Sequence, residues 1–165
     1  GKALLLHFAG GTSVYTHNQL YGVWKVVKPG REPATARELR LAIHVRDAWA
    51  LLYSASDIEV LPRARLARHP SLARLGVELL APGTTLAEVR DQLDAARFQR
   101  RTLAALLLDQ GFLAGLGNYL RSEALFVARV SPDARLGALS PAQKDALARA
   151  SLEVTRQSYR TRGIT

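Results

Sequence analysis

RFQRRTLAALLLDQGFLAGLGNYLRSEALF, running from Arg97 to Phe126, is the stretch around which the chain is organised. Its first part, Phe98 to Asp109, has helical spacing and predicts a helix with Leu103, Leu106 and Leu107 on the buried side. Gly111, Gly115 and Gly117 then stand too close together for that helix to continue, and they suit two tight turns. Asn118 falls where an N-cap is expected, and Tyr119 to Phe126 resumes helical spacing through Leu120, Ala124 and Leu125. A helix, a double turn and a second helix follow from this pattern. Free backbone N–H groups and the positive dipole end at the start of the second helix make an anion site. Arg121 lies near the same helix edge and adds a charge-assisted contact. Spacing alone fits an ordinary helical hairpin with a glycine-rich loop at least as well.

The rest of the composition favours the anion-binding alternative. The chain of 165 residues carries 23 Lys and Arg against 14 Asp and Glu, a formal net charge of +9 with a pI near 10.6. Such a balance points to a polyanionic partner. At 48% apolar residues the chain is globular rather than disordered, long enough for one large domain or two small ones. Cysteine and methionine are both absent, which excludes a disulfide framework and a cysteine zinc site within this sequence. No apolar run approaches the roughly 18 residues of a membrane span, and nothing resembles a signal peptide. No membrane partner and a cytoplasmic location are therefore expected. The first residue is Gly, not Met, as in a processed chain or a fragment.

The first 61 residues read as strands. Ala3 to Ala9 is an apolar run, Gly10-Gly11 signals a two-residue hairpin, and Thr12 to Thr16 returns. Val23 to Val27 is a further strand. Glu38 to Val45 alternates, with Leu39, Leu41, Ile43 and Val45 on one face. Trp49 to Tyr53 pairs back after a turn at Arg46-Asp47. Pro62 to Pro82 is a transition with a short helix near Arg63 to His69, and everything from Thr85 onward reads helical. Thr85 with Glu88 and Ser140 with Gln143 are capping boxes, the second followed by a proline at the first helical position. The predicted class is α+β: a partial antiparallel β-sandwich over residues 1–80, then a helix-two-turns-helix domain over 81–165. Such an open sandwich exposes strand edges and apolar surface.

Four segments in this order resemble one family: GKALLLHF at the start, HNQLYGVW (His17 to Trp24), YSASDIEVL (Tyr53 to Leu61) and GFLAGLGNYLRSEALF (Gly111 to Phe126). The chain resembles the formamidopyrimidine-DNA glycosylase/endonuclease VIII family of base-excision repair over essentially its whole length. The resemblance implies an N-terminal β-sandwich, a helix-two-turns-helix module and a C-terminal zinc ribbon, with duplex DNA as partner. It also implies an N-terminal proline whose amine attacks C1′ of the damaged nucleoside, forming a Schiff base, and a neighbouring glutamate that handles protons. Gly1-Lys2 replaces that start and the zinc cysteines are missing. By the resemblance, this chain is the central portion of the family pattern, with no cofactor of its own, and lacks glycosylase turnover in isolation.

Residue by residue, the resemblance assigns Lys2 to the family's catalytic lysine, which contacts phosphate and assists protonation and elimination at the sugar. Gln19, Leu20 and Tyr21 match the loop that enters the duplex and fills the gap left by the extruded base. Read alone, Leu20 and Tyr21 would serve as core residues of a strand, but the His17-Asn18-Gln19 run just ahead of them fits an exposed loop. Asn118 and Arg121 match a phosphate clamp. Gly111 stands where the purine-specific branch carries a lysine, and Gln19-Leu20-Tyr21 also departs from that branch. Both features favour the endonuclease VIII branch. Its implied activity is glycosylase and abasic-site lyase action on oxidised pyrimidines such as thymine glycol, with strand cleavage by β,δ-elimination. A monomer acting on double-stranded DNA with oxidised bases or abasic sites is expected.

Other residues carry weaker signals. Arg97, Arg100, Arg101, Arg156, Arg160 and Arg162 would extend a basic wall, although most such arginines are solvated surface. His7, His17, His44 and His69 have no metal-ligand spacing, and no metal site is expected. His17 is placed to orient the loop that follows it. Asp57 and Glu59 share a strand face, where a solvated edge is a better reading than an acid/base pair. The alternative to an enzyme is a non-catalytic nucleic-acid-binding module that reuses the helix-two-turns-helix. A basic globular protein with a protein partner is a third.

Overall fold

A continuous apolar run, Ala3 to Leu6, and a glycine turn set the first hairpin of the computed structural model, which describes residues 3–163. β1 (Ala3–His7) pairs antiparallel with β2 (Thr12–His17), in register from Ala3↔His17 to His7↔Ser13. The connection is not the two-residue turn that Gly10-Gly11 suggests. The Gly11 N–H donates to Phe8 O and the Phe8 N–H to Thr12 O, so the loop holds three residues. Only Gly11 has positive φ, at 76°, whereas a two-residue primed turn needs φ > 0 at its first residue, Gly10, alone or together with the second.

β2 then pairs with β6 (Asp57–Pro62), far along the chain, giving the sheet order β1-β2-β6. β3 (Val23–Val27), β4 (Leu39–His44) and β5 (Trp49–Tyr53) form a second antiparallel sheet in the order β3-β5-β4. The turn after β2 thus leaves one sheet and enters the other. Leu4 and Leu6 of the first sheet and Trp24, Val26, Ile43 and Ala50 of the second line one apolar gap of about 370 Å³. That is the expected antiparallel sandwich, and it is open: Val26 is 74% exposed. β4 is shorter than its alternation suggests. A bulge between Leu39 and Leu41 breaks the register, and as an edge strand it leaves Leu39 and Val45 exposed while Leu41 and Ile43 are half-buried. A 3₁₀ helix, Arg63–Arg68, ends this unit. Buried His69 follows it, its ring 4.4 Å from that of Tyr15 and its Nε2 3.1 Å from Glu59 Oε1.

The helical unit begins at Pro70, not near residue 80. Residues 76–79 belong to it because their backbone is laced to the central loop: Gly76 N–H donates to Gln110 O, Val77 N–H to Phe112 O and Leu79 N–H to Ala114 O. This makes a two-stranded parallel ladder of β7 (Val77–Glu78) and β8 (Leu113–Ala114). The unit's helices are α1 (Pro70–Ala73), α2 (Leu86–Asp94), α3 (Leu103–Leu106), α4 (Asn118–Ala128) and α5 (Pro141–Arg160). Both capping boxes form. Thr85 Oγ1 accepts from Glu88 N–H and Ser140 Oγ from Gln143 N–H, while each partner side chain accepts from the cap's own N–H.

The continuous helix expected from Phe98 to Asp109 is a correction. Phe98 closes a short 3₁₀ turn, Ala96–Phe98, and the chain then extends at Thr102 before α3 starts. Backbone bonds to a neighbouring segment win over helix propagation there. Gln99 O and Arg101 O accept from Gly137 and Leu136, and Leu103 N–H donates to Ala134 O. The leucine assignment survives the break: Leu103, Leu106 and Leu107 are fully buried, in one core with Val89, Leu93, Phe98, Phe112, Leu125 and Leu147.

Candidate nucleic-acid interface

Two local structures carry the residues singled out in the sequence, one in each unit. In the sandwich unit, Asn18 to Gly22 forms the turn between β2 and β3. The Gly22 N–H donates to Asn18 O at 2.7 Å. A Cβ on Gly22 would stand 2.7 Å from both Cα and O of Asn18, so only glycine closes this turn. Gln19 takes a left-handed backbone, φ 49°, which an unbranched polar residue tolerates at a cost. The closed turn pushes its tip outward: Leu20 is 78% and Tyr21 70% exposed. Neither is a core residue of a strand. The two adjacent side chains present apolar surface at the tip of the turn.

Two side chains hold the turn from its flanks. The Gln19 Nε2 donates to Asp57 Oδ2 at 3.1 Å, and His17 Nδ1 lies 3.9 Å from the same oxygen. On the other side, Arg37 Nη1 donates to Tyr21 O at 2.6 Å. Arg37 lies in an irregular loop, so no local sequence pattern marks its contact with the turn. Asp57 opens the edge strand β6, and its pairing with Gln19 arises from the β2-β6 register that sets His17 opposite Asp57. Lys2, the expected catalytic lysine, lies outside the described residues.

In the helical unit the double turn is fastened by Gln110. Its Nε2 donates to Leu116 O at 2.8 Å and its Oε1 accepts from Gly115 N–H at 3.0 Å. Gly115 needs its φ of 108° at this point. Asp109 fixes the entry: it pairs with Arg101 and accepts from Gly111 N–H at 2.8 Å. The Arg101 hydrogen bond, then the Gly111 N–H, hold the Asp109 carboxyl below the ordinary carboxylate range.

Asn118 is not the N-cap. Gly117, in an extended conformation and with no side chain to cap with, occupies that position, and Asn118 is the first helical residue. The first helical bond runs from Arg121 N–H to Gly117 O, which shifts the helix start by one residue. The shift moves the exposed Asn118 side chain out of the cap position and onto the first turn of α4. Arg121 is half-buried, its Nη1 donating to Ala104 O at 3.3 Å, and so ties α4 to α3. Of the other arginines, Arg156 serves the fold by donating to Thr84 O at 2.6 Å, and Arg101 is paired with Asp109. Arg97 packs 4.5 Å over the Phe98 ring.

The residues do not fit the zinc of the family's ribbon. The sequence has no cysteine, and among the described residues no three His, Asp or Glu side chains converge on a metal position. No helix among the described residues is long and apolar enough to cross a membrane.

Comparison with known proteins covers both units. Endonuclease 8 of Escherichia coli O17:K52:H18 is 52% identical over 163 residues, 99% of this chain and 62% of the relative. Endonuclease 8 of Klebsiella pneumoniae is 50% identical over 164 residues, with the same coverage. The chain thus spans about three fifths of the length of these relatives. Among solved structures, a complex between Lactococcus lactis Fpg and DNA containing an abasic site matches with a TM-score of 0.83. That match has 18% identity and covers 99% of this chain and 60% of the other. The formamidopyrimidine-DNA glycosylase H2TH domain matches residues 75–165. A domain match over more than half the chain, on the segment that holds the double turn and α4, places this protein in the formamidopyrimidine-DNA glycosylase/endonuclease VIII family.

Proposed function

We propose that the whole protein carrying this chain is a base-excision-repair DNA glycosylase and abasic-site lyase, monomeric, acting on oxidised pyrimidines in duplex DNA. The outward-held Leu20-Tyr21 pair carries this reading. Enzymes that act on a base must take it out of the stack, at a cost of a few kcal/mol, and an apolar wedge in the vacated space offsets part of that cost. The match to Endonuclease 8 spans 99% of the chain, so it covers the wedge turn as well as the helical unit. Solved relatives include Fpg bound to DNA with an abasic site and Fpg bound to DNA with an oxidised pyrimidine.

Each part of the chain has its task in this reading. Leu20 and Tyr21 enter the duplex, and Gln19 meets the base left without a partner. The α4 start, with Gly117, Asn118 and Arg121, grips backbone phosphate through N–H groups and one guanidinium. Lys2 contacts phosphate and assists proton transfer at the sugar. The Schiff base with an N-terminal amine, followed by β,δ-elimination, belongs to the whole protein.

Strand cleavage tests the reading. The full-length protein is incubated with duplexes carrying thymine glycol, 8-oxoguanine or no lesion. Cleavage concentrated on thymine glycol, and lowered at least tenfold by L20A/Y21A, is expected. Binding without any cleavage would instead identify a non-catalytic module, and cleavage indifferent to the wedge would remove the basis of the proposal.

A further inference from the structure

We propose that Asp57 is a positioning residue that fixes which way round the Gln19 amide faces, and thereby makes the wedge turn read the base opposite the lesion. The inference rests on the wedge reading and adds a specificity determinant to it. A carboxylate only accepts hydrogen bonds, whereas a glutamine amide has a donating and an accepting end. At 3.1 Å from Asp57 Oδ2, the Gln19 side chain has one favourable orientation, with its NH₂ toward the carboxylate and its Oε1 turned away. The flipped amide would set two acceptors against each other. His17, the other titratable group beside this carboxylate, is 3.9 Å from the same oxygen and does not supply a competing acceptor when its facing nitrogen carries the proton.

The backbone makes this orientation matter. Gln19 sits at φ 49° in a turn closed by Gly22 and held by Arg37 on Tyr21 O, so the amide is presented from a preset base and not from a loose loop. A glutamine amide pairs with a base edge through one donor and one acceptor side by side. Adenine and cytosine offer an amino group where guanine and thymine offer a carbonyl oxygen, so the order of donor and acceptor is reversed between the two classes. A glutamine free to flip serves both. One with its order fixed by Asp57 discriminates between amino and keto bases.

Affinity of the full chain for duplexes with a tetrahydrofuran abasic analogue opposite A, C, G or T tests this, read by fluorescence anisotropy. The quantity of interest is the ratio of the amino-base (A, C) to the keto-base (G, T) Kd values. Removing a carboxylate raises affinity for every duplex alike, and the ratio cancels that uniform change. Wild type is expected to show a ratio away from one by roughly two- to tenfold, the range of one hydrogen bond. D57A and Q19A should both bring it to one. D57N is the control for folding: it is isosteric and can still bond Gln19, but its amide accepts either orientation, so the ratio should fall there too. A ratio kept in D57N and D57A, or absent in wild type that does prefer abasic to intact duplex, overturns this inference alone. No preference for abasic over intact duplex overturns the wedge reading, and this inference with it.

Discussion

A Cβ placed on Gly76 would stand 2.1 Å from the carbonyl oxygen of Phe112. The obstacle is backbone, held in place because Gly76 N–H donates to Gln110 O and Gln92 Nε2 donates to Phe112 O at 2.9 Å. Neither strand can give way without loosening the double turn ahead of α4. G76A is expected to lower stability by roughly 3 kcal/mol in urea unfolding. A midpoint equal to wild type would contradict the close β7-β8 approach.

How much of this was legible in advance depends on the range of the interactions. β3 and β5 lie where their residue types put them, and both capping boxes form, because short β-branched and aromatic runs and Thr85/Glu88 or Ser140/Gln143 spacing are local signals. The two-residue strands were invisible. Val77–Glu78 and Leu113–Ala114 are defined only by each other, across a parallel pairing that no local pattern encodes. The broken helix before α3 failed for the same reason: Leu136 and Gly137 supply the competing bonds. At the candidate interface, the Leu20-Tyr21 exposure was readable from the polar residues ahead of it. Arg37 and Asp57 were not, since both reach the turn through the fold.

The α5 cap offers a clean stability test. Ser140 Oγ accepts from Gln143 N–H at 3.2 Å, and Gln143 Oε1 accepts from Ser140 N–H at 2.9 Å. S140A is expected to cost about 1 kcal/mol, and S140D to restore most of it. Equal stability of S140A and wild type would show that the cap contributes nothing to a helix anchored by packing.

Asp109 gives the double turn a pH dependence of known sign. Its folded carboxyl lies below the ordinary value, chiefly through Arg101. Its contribution is therefore complete above the unfolded value, about pH 4, and is lost as pH falls through the folded value. Wild type should converge with D109N as pH drops below about 4 and exceed it in stability at pH 7. A gap that widens in acid would contradict the assignment.

Arg121 tests the phosphate grip. R121A should weaken binding to all duplexes alike and reduce the slope of log K against log salt by about 1. Because Arg121 also bonds Ala104 O, thermal unfolding of the same variant separates lost binding from a loosened α3-α4 contact. An unchanged salt slope would remove Arg121 from the interface.

The most direct test of the account places 2-aminopurine beside a tetrahydrofuran site in a duplex and follows its fluorescence as the chain is added. Insertion of Leu20 and Tyr21 unstacks the reporter, so the account predicts a rise with wild type that is lost with L20A/Y21A, while a reporter in an intact duplex stays quenched. An equal rise with wild type and L20A/Y21A, or none with either at saturating protein, would contradict it.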